Sequence, residues 1–550
     1  MNNFLNRSFL WSLFILLFLV LAEATSQTAQ NNETELHVIF YTHSNYGGEH
    51  TAEEYLAGVL GVGSPGRVFD TAVHTLKNYP EAVIVTDSMG YLKMWMDRFL
   101  NSSTQVFFEI SNNSQFEVVN GAISSPDEAC IHYDHLIETF TIGHKWLKDI
   151  LGYHPQYAWS LEAAGHSKAY AWLLAKMGFN AIMLEKVHKN DREARKQRKE
   201  FNFLWQPIAQ FDEKIYVEIA DYPYQRDLQF WRWYHAARRE WSDRDYEVWT
   251  NERKELFLTN AIQHHIGGNF NFSFDANPLL NDAQAWVNNL KTFSGLRPKF
   301  SSLSNYFKRV NEIYTKNGYA GTYPDKFLKI FKDDFFPLVT EKDEAWTGFY
   351  TTNSIFKGIV FSAARYFTAL KNLYSKLILK DQAANWVEEI NNIWNELWAV
   401  DEMLGILAQH DVISGTSAKR VNVEYLEMLS SKKFELDKVH SKSLGKLMFY
   451  YQSLLKKLKR HLFAKKFLPQ ELESSFDFST CLLNAYKDVY CLRKHAEIFR
   501  ESNTLVTVFN PGTARRIVVK LAVEVPHVVG NLTKTGLQNL ISIFSHRSRK

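Results

Sequence analysis

The chain has 550 residues, enough for two to four domains with cores of their own. Apolar residues make up 46% and aromatics 15%, which excludes a disordered chain. The 63 basic and 60 acidic residues nearly cancel to a charge of +3, which gives no electrostatic case for nucleic acid or an anionic membrane surface.

The first predicted element is an address. Arg7 precedes an apolar run from Phe9 to Leu21, and Ala22-Glu23-Ala24 is a small-x-small cleavage site. The run is short for a bilayer span, so residues 1–24 read as a signal peptide; an uncleaved anchor is the alternative. No later stretch approaches about 20 apolar residues, so no membrane span is expected in the mature chain. Asn-x-Ser/Thr acceptors at Asn32, Asn101, Asn112, Asn271 and Asn531 together fit a glycoprotein of the secretory pathway.

Residues 36–335 alternate short apolar runs with amphipathic stretches. Leu36–Tyr41, Ala82–Thr86 and Ala181–Leu184 read as buried strands, and 134–150 and 167–178 as helices. This βαβα rhythm predicts an α/β domain with a parallel sheet. Ligands in such folds sit beyond the carboxyl ends of the strands, where His43 and Glu162 fall. The charged stretch Lys186–Glu200 reads as a solvated face. Residues 345–465 change to long amphipathic patterns at 356–380, 382–408 and 420–463, a three-helix domain. Cys481 and Cys491 are close enough in sequence for a local disulfide, with Cys130 left as a free, buried thiol; three reduced cysteines are the alternative. In 500–550, two apolar runs joined by Asn510-Pro511-Gly512-Thr513 read as the start of a β domain, too short to stand alone.

Three motifs carry the chemistry: Thr42-His43-Ser44-Asn45, Trp159-Ser160-Leu161-Glu162-Ala163-Ala164-Gly165-His166-Ser167, and Gln409-His410-Asp411 before Ser414-Gly415-Thr416. His43 and Asn45, at i and i+2 of an extended segment, point the same way and can share a ligand. Beside them stand Pro126-Asp127-Glu128-Ala129, Gly267-Gly268-Asn269-Phe270, Asp333-Asp334-Phe335-Phe336-Pro337 and Trp346-Thr347-Gly348-Phe349. In this order they resemble glycoside hydrolase family 38, the zinc-dependent retaining α-mannosidases of lysosomal and Golgi type.

The resemblance implies a sheet domain, a three-helix bundle and β-sandwich domains. It implies one zinc ion held by His43, Asn45, Glu162 and His410, with Asn45 where the family has aspartate. It implies Glu162 as nucleophile, again in an aspartate's place, Asn269 in place of the general acid/base aspartate, and Asp411 holding sugar hydroxyls. Gly48 and Ala164 replace two aromatics that flank the sugar, and Lys186 an arginine. The implied substrate is an α-mannoside or N-glycan, and the implied destination is lysosomal or extracellular.

The substitutions have physical consequences. The extra methylene of Glu162 moves its carboxylate by roughly 1 Å, and such misplacement costs about 10²-fold. Asn269 has no titratable proton, which removes acid help worth about 10²–10⁴-fold; Asp275, His264 and His265 are conceivable substitutes. Asn45 turns an anionic ligand into a neutral one. Two classes follow: an α-mannosidase-like hydrolase impaired by these changes, and a secreted carbohydrate-binding pseudoenzyme without turnover.

Overall fold

The computed structural model describes residues 34–458, except 60–62, 88, 99–101, 221–242, 271–276, 292–294, 317–327 and 381–386. The predicted signal peptide, the Cys481/Cys491 pair, the 500–550 segment, Asp275 and all the glycosylation acceptors but Asn112 lie outside the described residues. Asn112 is exposed at the end of helix Ser102–Asn112.

The alternating pattern folds as an α/β unit with two five-stranded sheets. The strands are β1 (Thr34–His43), β2 (Ile84–Thr86), β3 (Phe116–Val118), β4 (Tyr157–Ser160), β5 (Ala181–Leu184), β6 (Asn202–Trp205), β7 (Ile215–Ile219), β8 (Ala261–Asn269), β9 (Leu296–Phe300) and β10 (Ile330–Phe331). The first sheet runs β3-β2-β1-β8, with β9 also on β1. The second runs β10-β6-β7-β5-β4, parallel except where β6 meets β7. Nine of the ten residues of β1 are buried, as a strand covered on both faces requires. The expected helices are present as Tyr133–Leu151 and Lys168–Lys176. The first stops at Gly152 in the left-handed conformation, and Ser167 caps the second by accepting from the Ala169 N–H.

The core carries Tyr41, Trp159, Met183, Leu204 and Tyr306, drawn from both sheets and from helix Leu303–Lys316. It therefore lies beneath the strand ends where the candidate residues sit. Helix Lys189–Arg198 is mostly solvent-facing, as its charge predicts, but Arg195 departs from that reading. It is buried, its guanidinium lies 4.3 Å from the Phe203 ring centre, and it donates to Asp191 at 2.8 Å. Cys130, expected to be buried, is only half-buried.

The helical region contains Ser354–Lys380, Val387–Leu407 and Lys419–Leu458, with one short helix, His410–Ile413, before the last. Two compact units result. Among the described residues, those from 34 to 360 join 401–429 in one, and those of 361–400 join 430–458 in the other. The turn carrying His410 thus belongs to the unit that holds the sheets. In the helical unit, Tyr366 donates to Asp437 at 3.1 Å, and Tyr374 pairs with His440 at 2.6 Å. Among the described residues no helix is long and apolar enough to cross a membrane.

Candidate metal centre

Four chemical groups stand at or just past the carboxyl ends of parallel strands. His43 ends β1, Asn269 ends β8, Asp87 follows β2, and Glu162 lies two residues beyond β4. Register aligns two of them: β1 pairs β8 with His43 opposite Asn269. Gly267 permits that closeness, because a Cβ there would stand 1.9 Å from the Tyr41 carbonyl oxygen.

His410 arrives from the helical segment and is tied to the sheet unit by backbone contacts. The His410 N–H donates to the Ser125 carbonyl at 3.3 Å, and the Asp127 N–H to the Ala408 carbonyl at 2.8 Å. Ser124 Oγ donates to the Gly405 carbonyl at 2.7 Å. A Cβ on Gly405 would meet Ile123 at 2.6 Å, so glycine lets the helix end seat there.

These connections bring His43, Glu162 and His410 together, with one ligand atom from each within 4.8 Å of the others. Glu162 Oε2 lies 3.9 Å from His43 Nε2 and 3.8 Å from His410 Nε2. The two imidazoles stack at 5.4 Å with planes 10° apart. Both ring nitrogens of His410 and Oδ1 of Asn45 are buried without a hydrogen bond. Lone-pair donors left that way cost about 1–3 kcal/mol each unless something binds them. Two imidazoles and a carboxylate match zinc's usual donors, so the residues fit that ion.

Burial works against a charged His43, but the Asp87 carboxylate, by charge and hydrogen bond, and Glu162 outweigh it and raise the imidazole to about 9. Asp87 accepts from His43 Nδ1 at 2.8 Å and from Trp159 Nε1 at 2.8 Å, and Ser125 donates to it as well. With Nδ1 committed, His43 turns Nε2 toward Glu162. Burial also opposes ionisation of Glu162, yet His410, His43 and Lys186 hold its carboxyl below the usual range. Glu162 is therefore an anion in this setting.

Its backbone is unusual too. Glu162 has φ 62°, a left-handed conformation that costs a non-glycine residue about 1–3 kcal/mol. Its N–H donates to Glu185 Oε2 at 3.0 Å, and Lys186 Nζ donates to its carbonyl at 3.2 Å. The Lys186 ammonium also sits 5.5 Å above the Trp346 ring. Asp411 is nearby, its Oδ2 3.8 Å from His410 Nε2. The Asn269 Oδ1 is buried without a hydrogen bond.

At Gly48 φ is +90°, and a Cβ would find only the Tyr55 hydroxyl, 3.6 Å away, so the place of the implied aromatic is open. Ala164 packs with Leu338 and Phe349. His264 is buried and His265 half-buried, and their removal from water drives both pKa values down, His265 to about 4. Neither is poised to replace the proton donor. The sequence reading missed Asp87 and Glu185. Each is the first residue after a strand, but neither belongs to a motif, so position alone gave no reason to choose it.

Residues 33–340 match the N-terminal domain of glycosyl hydrolases family 38, and 344–447 match the alpha mannosidase middle domain. The chain is 23% identical over 452 residues to the lysosomal alpha-mannosidase of Dictyostelium discoideum, covering 76% of this chain and 43% of that protein. It is 22% identical over 525 residues to the alpha-mannosidase of Canavalia ensiformis, covering 90% and 49%. Among solved structures, an alpha-mannosidase from Enterococcus faecalis V583 superposes with a TM-score of 0.54 at 12% identity, over 74% of this chain and 42% of that one, a likeness of fold. The chain spans less than half the length of either curated relative.

Proposed function

The chain belongs to glycosyl hydrolase family 38, and from that premise we propose an α-mannosidase-like protein that takes terminal α-mannosides over one zinc ion, with its proton-transfer step impaired. The observation that carries this reading is the convergence of His43, Glu162 and His410 from three separate parts of the sequence. His43, Glu162 and His410, with Asn45 beside them, would hold the zinc. Bound there, the ion supplies Lewis-acid polarisation and a template for the sugar's vicinal hydroxyls.

The chain's own residues divide the remaining work. Glu162, kept anionic by its neighbours, attacks the anomeric carbon and forms the glycosyl-enzyme ester as the glycosidic bond breaks. Water then hydrolyses the ester, and the configuration is retained. Asp411 accepts hydrogen bonds from ring hydroxyls and orients the sugar. Asn269 stands where the leaving oxygen needs a proton, and its amide has none to give. Turnover then depends on how well the leaving group bears negative charge.

A binding protein without turnover is the second reading, and the same Asn269 favours it: its buried, unbonded carbonyl oxygen can accept a hydroxyl hydrogen bond from a sugar. The secretory pathway, lysosomal or extracellular, is the proposed location, on the apolar run at Phe9–Leu21 and the lysosomal relative.

Zinc content and two substrates test the proposal. About one zinc per chain is expected, with cleavage of an aryl α-mannoside whose leaving group needs no proton and little cleavage of an alkyl α-mannoside. Zinc and mannoside binding without cleavage of either would leave the binding reading. Absence of both zinc and mannoside binding sinks the proposal.

A further inference from the structure

Two imidazoles and one carboxylate leave a divalent cation with one positive charge uncompensated, because Asn45 is neutral. Hard, anionic donors are what such a site lacks, and one stands beside it. Donor atoms of a tetrahedral site with bonds of about 2.0–2.1 Å lie roughly 3.4 Å apart. The edges from Glu162 to His43 and His410 measure 3.9 and 3.8 Å, a cage a few tenths of an ångström open. Asp411 Oδ2 is 3.8 Å from His410 Nε2, the same edge length as that of Glu162 to the same nitrogen.

The tether of Asp411 suits a ligand that swings in. Its backbone is fixed: the N–H donates to Gln409 Oε1 at 2.9 Å and the carbonyl accepts from Ser417 Oγ at 2.7 Å. Its carboxylate is held only lightly, by Gln409 Nε2 donating to Oδ2 at 3.3 Å, and the side chain is 28% exposed. A change of rotamer therefore breaks one long hydrogen bond and buries little.

We propose that Asp411 supplies the second anionic donor of the metal centre, in place of the carboxylate missing at position 45. The inference rests on the reading that the centre takes zinc. With Asp411 engaged, the cation and its donors reach neutrality, and Oδ1 stays available to a sugar hydroxyl. One side chain then serves both metal and substrate.

The test is zinc affinity of the full chain, measured by competition with a chromophoric chelator for the unaltered protein, Asp411→Asn, Asn45→Asp and the double variant. Asp411→Asn should weaken zinc at least about 10²-fold, at or beyond the upper end for losing a partner of a metal ligand. Asn45→Asp in the same chain should restore affinity to within a few-fold of the unaltered protein. Unchanged affinity in Asp411→Asn overturns the inference, and so does failure of Asn45→Asp to rescue it. If Asp411→Asn does not fold, a zinc-bound crystal structure of the unaltered chain decides. An Asp411 oxygen within about 2.0–2.2 Å of the ion supports the assignment, and one beyond bonding distance overturns it. An unaltered chain that takes up no zinc overturns the functional reading as well. Zinc uptake indifferent to residue 411 overturns this inference alone.

Discussion

At the scale of single residues, the centre depends on a histidine being held in one tautomer and one orientation. Asp87 does that for His43, with Trp159 and Ser125 holding Asp87 in turn. Replacing Asp87 with Asn keeps the shape but removes the charge that commits Nδ1. Zinc affinity should fall about 10–100-fold, read by chelator competition, while the far-ultraviolet circular dichroism stays unchanged. Asn269 poses the complementary question. Restoring a proton donor with Asn269→Asp should raise cleavage of alkyl α-mannosides by about 10²–10⁴-fold and change activated aryl mannosides far less. Equal effects on both substrates would show that proton transfer is not the step that Asn269 impairs. Motif order pointed to His43, Glu162, His410 and Asp411, and strand ends to the first two; the fold brings His43, Glu162 and His410 together. Asp87 was passed over because a lone acid after a strand carries no motif; only its contact with His43 gives it meaning.

At the scale of elements, the pairing of β1 with β8 sets the register that puts Asn269 opposite His43. Gly267→Ala would drive a methyl group against the Tyr41 carbonyl, where the backbone cannot yield. A loss of about 1–3 kcal/mol or more is expected, measured as a lower urea midpoint. A buried carboxyl joins other elements of the same unit. Glu218 on β7 accepts from Tyr306 at 2.8 Å, from Asn202 at 3.2 Å, and from Gln263 on β8. Burial pushes it up to about 8, against those hydrogen bonds. Its folded value lies above the unfolded one, so its contribution to stability is full below about 4.5 and is lost as pH climbs through 8. The unfolding midpoint should drop between pH 5 and pH 8, and Glu218→Gln should flatten that slope. A slope unchanged in the variant would assign the pH dependence elsewhere. The strands and helices near 36–41, 82–86, 134–150 and 181–184 were readable from periodicity. The nine-residue β8 was not, because Gln263-His264-His265 and Gly267-Gly268 interrupt its apolar run although the strand is largely buried in the sheet.

At the scale of the molecule, the candidate ligands come from residues 43, 162 and 410, so an ion held there would tie distant parts of one compact unit together. Anything that binds only the folded state stabilises it by mass action, about 2.7 kcal/mol at a hundredfold excess over Kd. Zinc should raise the unfolding midpoint, a chelator should reverse the rise, and His410→Ala should abolish it. A midpoint indifferent to zinc in the unaltered chain would mean that the three donors do not bind it. The helical pattern from 345 onward suggested a separate domain. Contacts divide that stretch differently, since 401–429 packs with the sheets and carries His410 and Asp411 there.

The sequence by itself determined the family, the α/β class and the identities of the altered groups, because these reside in residue type, order and local period. Tertiary structure alone decided which donors meet and what surrounds them. Distances among His43, Glu162 and His410 and the anionic state of Glu162 depend on packing between segments more than a hundred residues apart. Coulomb energies and hydrogen bonds act over a few ångströms, and no local pattern along the chain encodes a separation of that kind.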